Sequence, residues 1–182
     1  MSGSFILVVS DSHGSSAALT TVLEWTQSAG VDAFDAAVFL GDGYEDLALA
    51  SARAGFALPW HAVRGNGDFY FSVPDNKVLE ISARKLFLAH GNRCHVREGY
   101  KTIAAIARRT GAEAALFGHT HVPYCAVVDG IFLLNPGSIS RPRSNAGYTF
   151  AVLECPDSGP LAARFFRLVN RGGKSIVEEL KK

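Results

Sequence analysis

Residues 5–14 read FILVVSDSHG, an unbroken apolar run that ends in Asp11 and His13 with Gly14 behind them. A run of this length, bounded by polar and glycine residues, reads as a buried strand. The same grammar recurs along the chain. AVFLG precedes Asp42, HAVRG precedes Asn66, LFLA precedes His90, and ALFG precedes His119 and His121. In open α/β sheets, ligands bind just beyond the carboxyl ends of strands. Five strand ends that each deliver a metal-binding side chain therefore point to one converging site on an α/β fold.

Helical stretches separate these runs at first. Ser15–Gly30 reads as a helix with Ser15 or Ser16 near its start and Gly30 past its end. Tyr44–Ala54 reads as a second, closed by Gly55, and Glu98–Thr110 as a third, followed by Gly111. Val78–Ile81 and Lys85–Ala89 look like a strand pair. Beyond Pro123 the texture becomes strand-rich, with Tyr124–Val128 and Ile131–Leu134 around the turn signal Asp129-Gly130. Tyr148–Glu154 and Leu161–Val169 follow, and the charged tail from Arg171 reads as either strand or helix. This order suggests a parallel-leaning first sheet and a more antiparallel second one. With no internal repeat or linker, a single domain over residues 1–182 is expected.

Composition narrows the function. The 182 residues are 48% apolar with a formal net charge of +1, so the chain can bury a core and carries no basic field for nucleic acid. No run reaches the ~20 apolar residues of a membrane span. No charged leader with a cleavage site precedes Phe5, and Cys94, Cys125 and Cys155 are odd in number and widely spaced. Both features fit a reducing cytoplasm.

The ligand types select the metal. Imidazole with carboxylate and amide oxygen suits first-row transition ions, and four imidazoles disfavour Mg²⁺. Mn²⁺ is favoured, with Fe, Zn or Co as alternatives. In extended chain, residues i and i+2 point the same way, so Asp11 with His13, and His119 with His121, could each face one ion. Glycines crowd the same loops, where they permit positive φ and close backbone approach.

The series Asp11-x-His13, Gly41-Asp42, Gly65-Asn66-x-Asp68, His90-Gly91 and Gly118-His119-x-His121 resembles the calcineurin-like metallophosphoesterase superfamily. The short chain, and Asn135-Pro136-Gly137-Ser138 followed by Arg141-Pro142-Arg143, resemble its small prokaryotic phosphodiesterase branch. The resemblance covers about residues 5 to 155. It implies a four-layer αββα sandwich, with two mixed β-sheets flanked by helices. It also implies Asp11, His13 and His121 on one ion, Asn66, His90 and His119 on a second, and Asp42 bridging the two. The implied reaction is attack of a metal-bridging hydroxide on a small phosphate ester, with Asn66 and the ions stabilising charge on the phosphoryl oxygens. Two divalent ions, two carboxylates and one hydroxide leave a net charge of roughly +1, which attracts an anionic ester.

The chain departs from the superfamily pattern in two places. Gly67 stands where many relatives carry a histidine after the motif Asn, and His90-Gly91 is followed by Asn92 rather than histidine. No general acid is therefore identified, and dependence on good leaving groups, or on water for that proton, is expected. Asp46 and Asp68 are candidates to orient a ligand imidazole, against the plainer reading of capping or turn carboxylates. Arg141 and Arg143 are candidate phosphate clamps, against exposed ion pairing. His61 and Cys94 read as structural, and so more readily does His95, with reach to the substrate as its alternative. Phe69, Tyr70 and Phe71 fit packing or a homodimer contact, against stacking on a base. The competing functions are a nuclease, which the near-neutral charge disfavours, and a non-catalytic scaffold, which the complete ligand set disfavours.

Overall fold

Strands buried on both faces read as continuous apolar runs, and the first strands here are of that kind. The computed structural model describes residues 3–28, 34–69 and 71–181. The expected helix stop at Gly30 and the aromatic Tyr70 lie outside them. One sheet takes β1 (Gly3–Val9), β2 (Phe34–Phe39) and β3 (Trp60–Ala62) together with β9 (Tyr148–Pro156), β10 (Ala162–Arg171) and β11 (Lys174–Glu179). Its order is β11-β10-β9-β1-β2-β3. The other takes β4 (Asn76–Ile81), β5 (Arg84–Ala89), β6 (Ala114–Leu116), β7 (Pro123–Val128) and β8 (Ile131–Pro136), in the order β4-β5-β6-β8-β7.

Both sheets are mixed, as the resemblance implied, but they do not divide into a parallel-leaning first and a more antiparallel second. β1, β2 and β3 pair in parallel, but β9 joins β1 antiparallel and brings β10 and β11 with it. The second sheet is parallel at its centre and antiparallel at both edges. Strand pairing between distant segments decides this, and composition does not record it. The charged tail is a strand, β11, joined to β10 through Gly172 and Gly173, both at positive φ.

Period-two alternation builds the layers. Ile6, Val8, Ala36, Val38, Ala151 and Leu153 of the first sheet meet Leu79, Leu86, Leu88, Leu116 and Leu134 of the second in one buried cluster. The opposite face of the first sheet packs Leu7, Val9 and Phe39 against Leu19 and Leu23 of α1 (Ser16–Ser28) and Leu47 of α2 (Asp46–Ala54). The opposite face of the second packs Phe87, Ala115 and Phe117 against Ile103 and Ala107 of α3 (Lys101–Arg109). The fold is thus the four-layer αββα sandwich. α2 ends where expected, with Gly55 at φ 65°. α3 begins three residues later than Glu98, because Gly99 at φ 146° cannot continue a helix.

The chain passes between the sheets through residues 63–75 and again through residues 137–147. Both crossings run over the carboxyl ends of the parallel strands. They bring Asn66 and the Ser138–Arg143 segment to the same end as Asp11, Asp42, His90 and His119.

Candidate metal centre

Most of the candidate ligands lie in sharp turns beyond their strands. Asp11, His13, Asp42, His119 and His121 have φ of 55°, 45°, 59°, 66° and 60°. Left-handed backbone is uncommon outside glycine and costs on the order of 1–3 kcal/mol at each such residue. Five instances among the candidate ligands mark strain held by the surrounding fold. They also correct the extended-chain reading of Asp-x-His and His-x-His. Asp11 and His13 come together because their loop curls, and His119 and His121 part, His121 turning to His13 and His119 to His90.

Asp11 is fully buried, and its two oxygens have different fates. Oδ2 accepts from Ser10 Oγ at 2.5 Å and from the His119 amide at 3.1 Å. Oδ1 has no hydrogen-bond partner. It faces His121 Nε2 at 3.1 Å and His13 Nε2 at 3.7 Å, and those two nitrogens stand 3.2 Å apart. Around an ion bonded at roughly 2.1 Å, adjacent donors lie roughly 3.0–3.4 Å from one another. Two edges of the triangle fit that geometry and the His13–Asp11 edge is about 0.3 Å longer, and a divalent ion would satisfy an orphaned buried carboxylate oxygen.

A second set adjoins it. Asp42 Oδ2 is 3.5 Å from His90 Nε2 and 3.8 Å from His13 Nε2, so it stands between the two groups. Asp42 Oδ1 accepts from the Gly67 amide at 2.6 Å, which leaves Oδ2 as the oxygen free to bridge. His119 presents Nδ1 to His90 Nε2 at 3.2 Å. Asp11, Asp42 and His90 also converge, with one donor atom of each within 4.8 Å of the others. Asn66 is exposed and lines a 390 Å³ cavity with His13, Asp42, His119 and His121.

The titration of these groups follows from burial and mutual charge. Burial alone would raise the Asp42 carboxyl, but the hydrogen bond and charge of His90, with the Gly67 amide, hold it at about 2. Burial opposes protonation of His90, yet the Asp42 hydrogen bond and the Asp11 and Asp42 charges raise it above 6.5. His119 moves the other way. Burial, then the His90 and Arg97 charges, push it down to about 4. Burial likewise lowers His13, with Asp11 and Asp42 opposing.

Backbone groups, and not the carboxylates suggested by sequence, aim the imidazoles. His90 Nδ1 donates to Leu40 O and His121 Nδ1 to Arg141 O, both at 2.6 Å, which leaves each Nε2 toward the centre. Asp46 instead accepts from Ser12 Oγ at 2.5 Å and the Gly14 amide at 3.0 Å, bracing the loop of His13. Asp68 accepts from the amides of Asp42, Gly43, Tyr44 and Gly65 at 2.8–3.0 Å, bracing the loop of Asp42. Ser138 Oγ and Ser140 Oγ both donate to Asp11 O, and Asn135 Nδ2 donates to Gly118 O. Two glycines are required by close approach. A Cβ at Gly118 would sit 2.0 Å from Ser10 Oγ, and one at Gly65 would sit 2.2 Å from Asp42 Oδ1.

Arg141 and Arg143 line the 390 Å³ cavity, and neither is in an ion pair among the described residues. Arg97 joins them there with its Nη2 at 3.5 Å from His119 O. Sequence reasoning missed Arg97. Its signal, a lone cation seven residues after His90, carries no pattern. His61 pairs with Lys77 on the edge of the sheet, and the exposed His95 pairs with Glu98 at 3.3 Å, outside the cavity lining. Cys94 is buried, and burial raises its thiol. Phe69 and Phe71 are 83% and 84% exposed, and Arg64 lies over the Phe71 ring.

Comparison with known proteins agrees with this geometry. The sequence profile of the calcineurin-like phosphoesterase superfamily domain matches residues 5–158. The probable metallophosphoesterase YsnB of Bacillus subtilis is 28% identical over 173 residues, 95% of each chain. Phosphodiesterase YfcE of Escherichia coli is 29% identical over 170 residues, covering 82% of this chain and 86% of its own. A crystal structure of a predicted phosphoesterase from Streptococcus pneumoniae matches with a TM-score of 0.75 at 28% identity, over 100% of this chain and 99% of the other.

Proposed function

The chain belongs to the calcineurin-like phosphoesterase superfamily, and from that premise we propose that it is a phosphodiesterase that works with two divalent transition-metal ions. The observation that carries this reading is the partnerless, buried Asp11 Oδ1 facing His13 and His121. Asp11, His13 and His121 would hold one ion. His90, His119 and Asn66 would hold the other, with Asp42 Oδ2 between them. The donor mix favours Mn²⁺, with Fe, Zn or Co as alternatives. When bound, such ions supply Lewis acidity toward the phosphoryl oxygens and lower the pKa of the attacking water.

The chain's own residues do the remaining work. His119 is neutral at physiological pH and ready to donate an electron pair from Nδ1. Asn66, Arg97, Arg141 and Arg143 line the mouth and would hold the non-bridging oxygens of a small phosphoester. Gly67 leaves no imidazole where many superfamily members carry one assigned as the acid, and Asn92 stands where many relatives have a further histidine, so the leaving group must depart largely unaided or take its proton from water. Every candidate ligand type is present in the sequence, and the carboxylates and imidazoles stand near one another, which supports an enzyme over a binding scaffold. Near-neutral charge supports a small substrate over nucleic acid. No helix among the described residues is long and apolar enough to cross a membrane.

The test is hydrolysis of bis(p-nitrophenyl) phosphate by metal-free protein reconstituted with Mn²⁺, with Asp42→Asn as control. Turnover that requires metal and is lost in the variant supports the reading. No turnover with any of the four metals overturns it.

A further inference from the structure

We propose that a second cavity, opening off the metal pocket beside α1, binds the alcohol portion of the phosphodiester and selects a neutral, nucleoside-like group. This deepens the phosphodiesterase reading and rests on it. The groove has a volume of 660 Å³, larger than the 390 Å³ metal pocket. Both are lined by His13 and Arg141, so a phosphate held at the candidate ligands stands at the mouth of the groove. One ester oxygen then points into it.

Charge decides what the groove accepts. Arg97, Arg141 and Arg143 all line the metal pocket, whereas among the described residues Arg141, at the shared mouth, is the only formally charged side chain lining the groove. A second anionic group would find no cation farther in. The walls combine two chemistries. Ser15, Thr21 and Ser175 offer hydroxyls, while Leu168 and the half-exposed Tyr148 offer apolar area and a ring face. Thr21 Oγ1 already donates to Ala17 O at 3.2 Å, but an aliphatic tail would desolvate the Ser15 and Ser175 hydroxyls without giving them partners. A bare polyol would leave the Tyr148 ring and Leu168 unused. A hydroxylated sugar bearing a flat heterocycle satisfies both.

The test compares metal-loaded wild type and Ala17→Trp on two diesters with one chromophore, the p-nitrophenyl ester of thymidine monophosphate and methyl p-nitrophenyl phosphate. Ala17 lies in the first turn of α1 and is exposed, so a larger side chain there fills the groove and not the core. Wild type is expected to favour the thymidine ester by at least ~10-fold in kcat/KM, and Ala17→Trp to erase that preference. Tyr148→Leu, which keeps apolar bulk but removes the ring, is expected to reduce it. Equal kcat/KM for the two esters in wild type, or their proportionate loss in Ala17→Trp, overturns the inference. A glycerol ester preferred over the thymidine ester overturns the nucleoside assignment. Thymidine binding to the metal-free protein, followed by NMR at the Tyr148 ring, separates the two layers. Shifts in wild type and not in Ala17→Trp, without cleavage of any ester, uphold the groove and sink the phosphodiesterase reading. Cleavage without discrimination sinks the groove alone.

Discussion

A single oxygen atom, Asp11 Oδ1, carries much of the functional argument. It is buried without a hydrogen-bond partner and is only partly compensated by the nearby imidazoles, and an under-satisfied buried charge is costly. In metal-free protein, Asp11→Asn is therefore expected to cost little stability or even raise Tm, whereas only wild type gains Tm on adding Mn²⁺. Thermal unfolding with and without metal checks this, and equal metal-induced gains in both proteins would contradict it. Asp68 makes a different prediction, because its bonds go to four amides around Asp42 and not to the centre itself. Asp68→Ala should weaken metal binding by ~10–100-fold while Asp42→Asn weakens it further, as read by calorimetric titration. The ligand side chains were legible in the sequence because each follows an apolar run. Their supports were not. The carbonyls of Leu40 and Arg141 that aim His90 and His121 lie 50 and 20 residues away from them, and a backbone carbonyl carries no sequence signature.

Loops at strand ends are the elements that convert these residues into a site. The β6 loop places Gly118 against Ser10 and Asp11, closer than any side chain permits. Gly118→Ala should force the Asp11 loop outward and lower activity with little loss of fold, whereas Gly111→Ala at the end of α3 has open space around its Cβ and should cost stability only through its φ of 73°. Activity and Tm measured side by side separate these outcomes, and parallel losses of both in Gly118→Ala would argue against a local effect. The strands themselves were readable, since burial on two faces leaves a continuous apolar signature. The partition of strands between sheets was not, because pairing β9 with β1 spans most of the chain. The hairpin to β11 had a signal, Gly172-Gly173, that its charged surroundings masked.

The whole molecule is expected to show the centre's charges in its pH dependence. His90 is raised above 6.5, so its contribution in the metal-free state is fully present below pH 6.5 and is lost as pH rises through its folded value. His119 is pushed down to about 4, so its neutral burial penalises folding increasingly as pH falls from 6.5 toward 4. Asp42, held at about 2, adds stability above pH 3.8 that disappears as pH approaches 2. Metal-free protein should therefore be most stable near pH 6.5, and saturating metal should flatten the alkaline arm by taking the place of the His90 proton. Melting curves from pH 4 to 9 test this, and an alkaline arm that survives in metal would contradict it. Catalysis offers a second test. Without an imidazole at Gly67 or Asn92, rates across aryl phosphodiesters should fall steeply as leaving-group pKa rises, and indifference to that pKa would reveal an overlooked acid. The most direct measurement is anomalous diffraction from crystals soaked in Mn²⁺. Two peaks are expected, one bonded to Asp11, His13 and His121 and one to His90, His119 and Asn66, with Asp42 Oδ2 touching both. A single peak away from these side chains, or none, would show that the converging loops do not build a dinuclear centre.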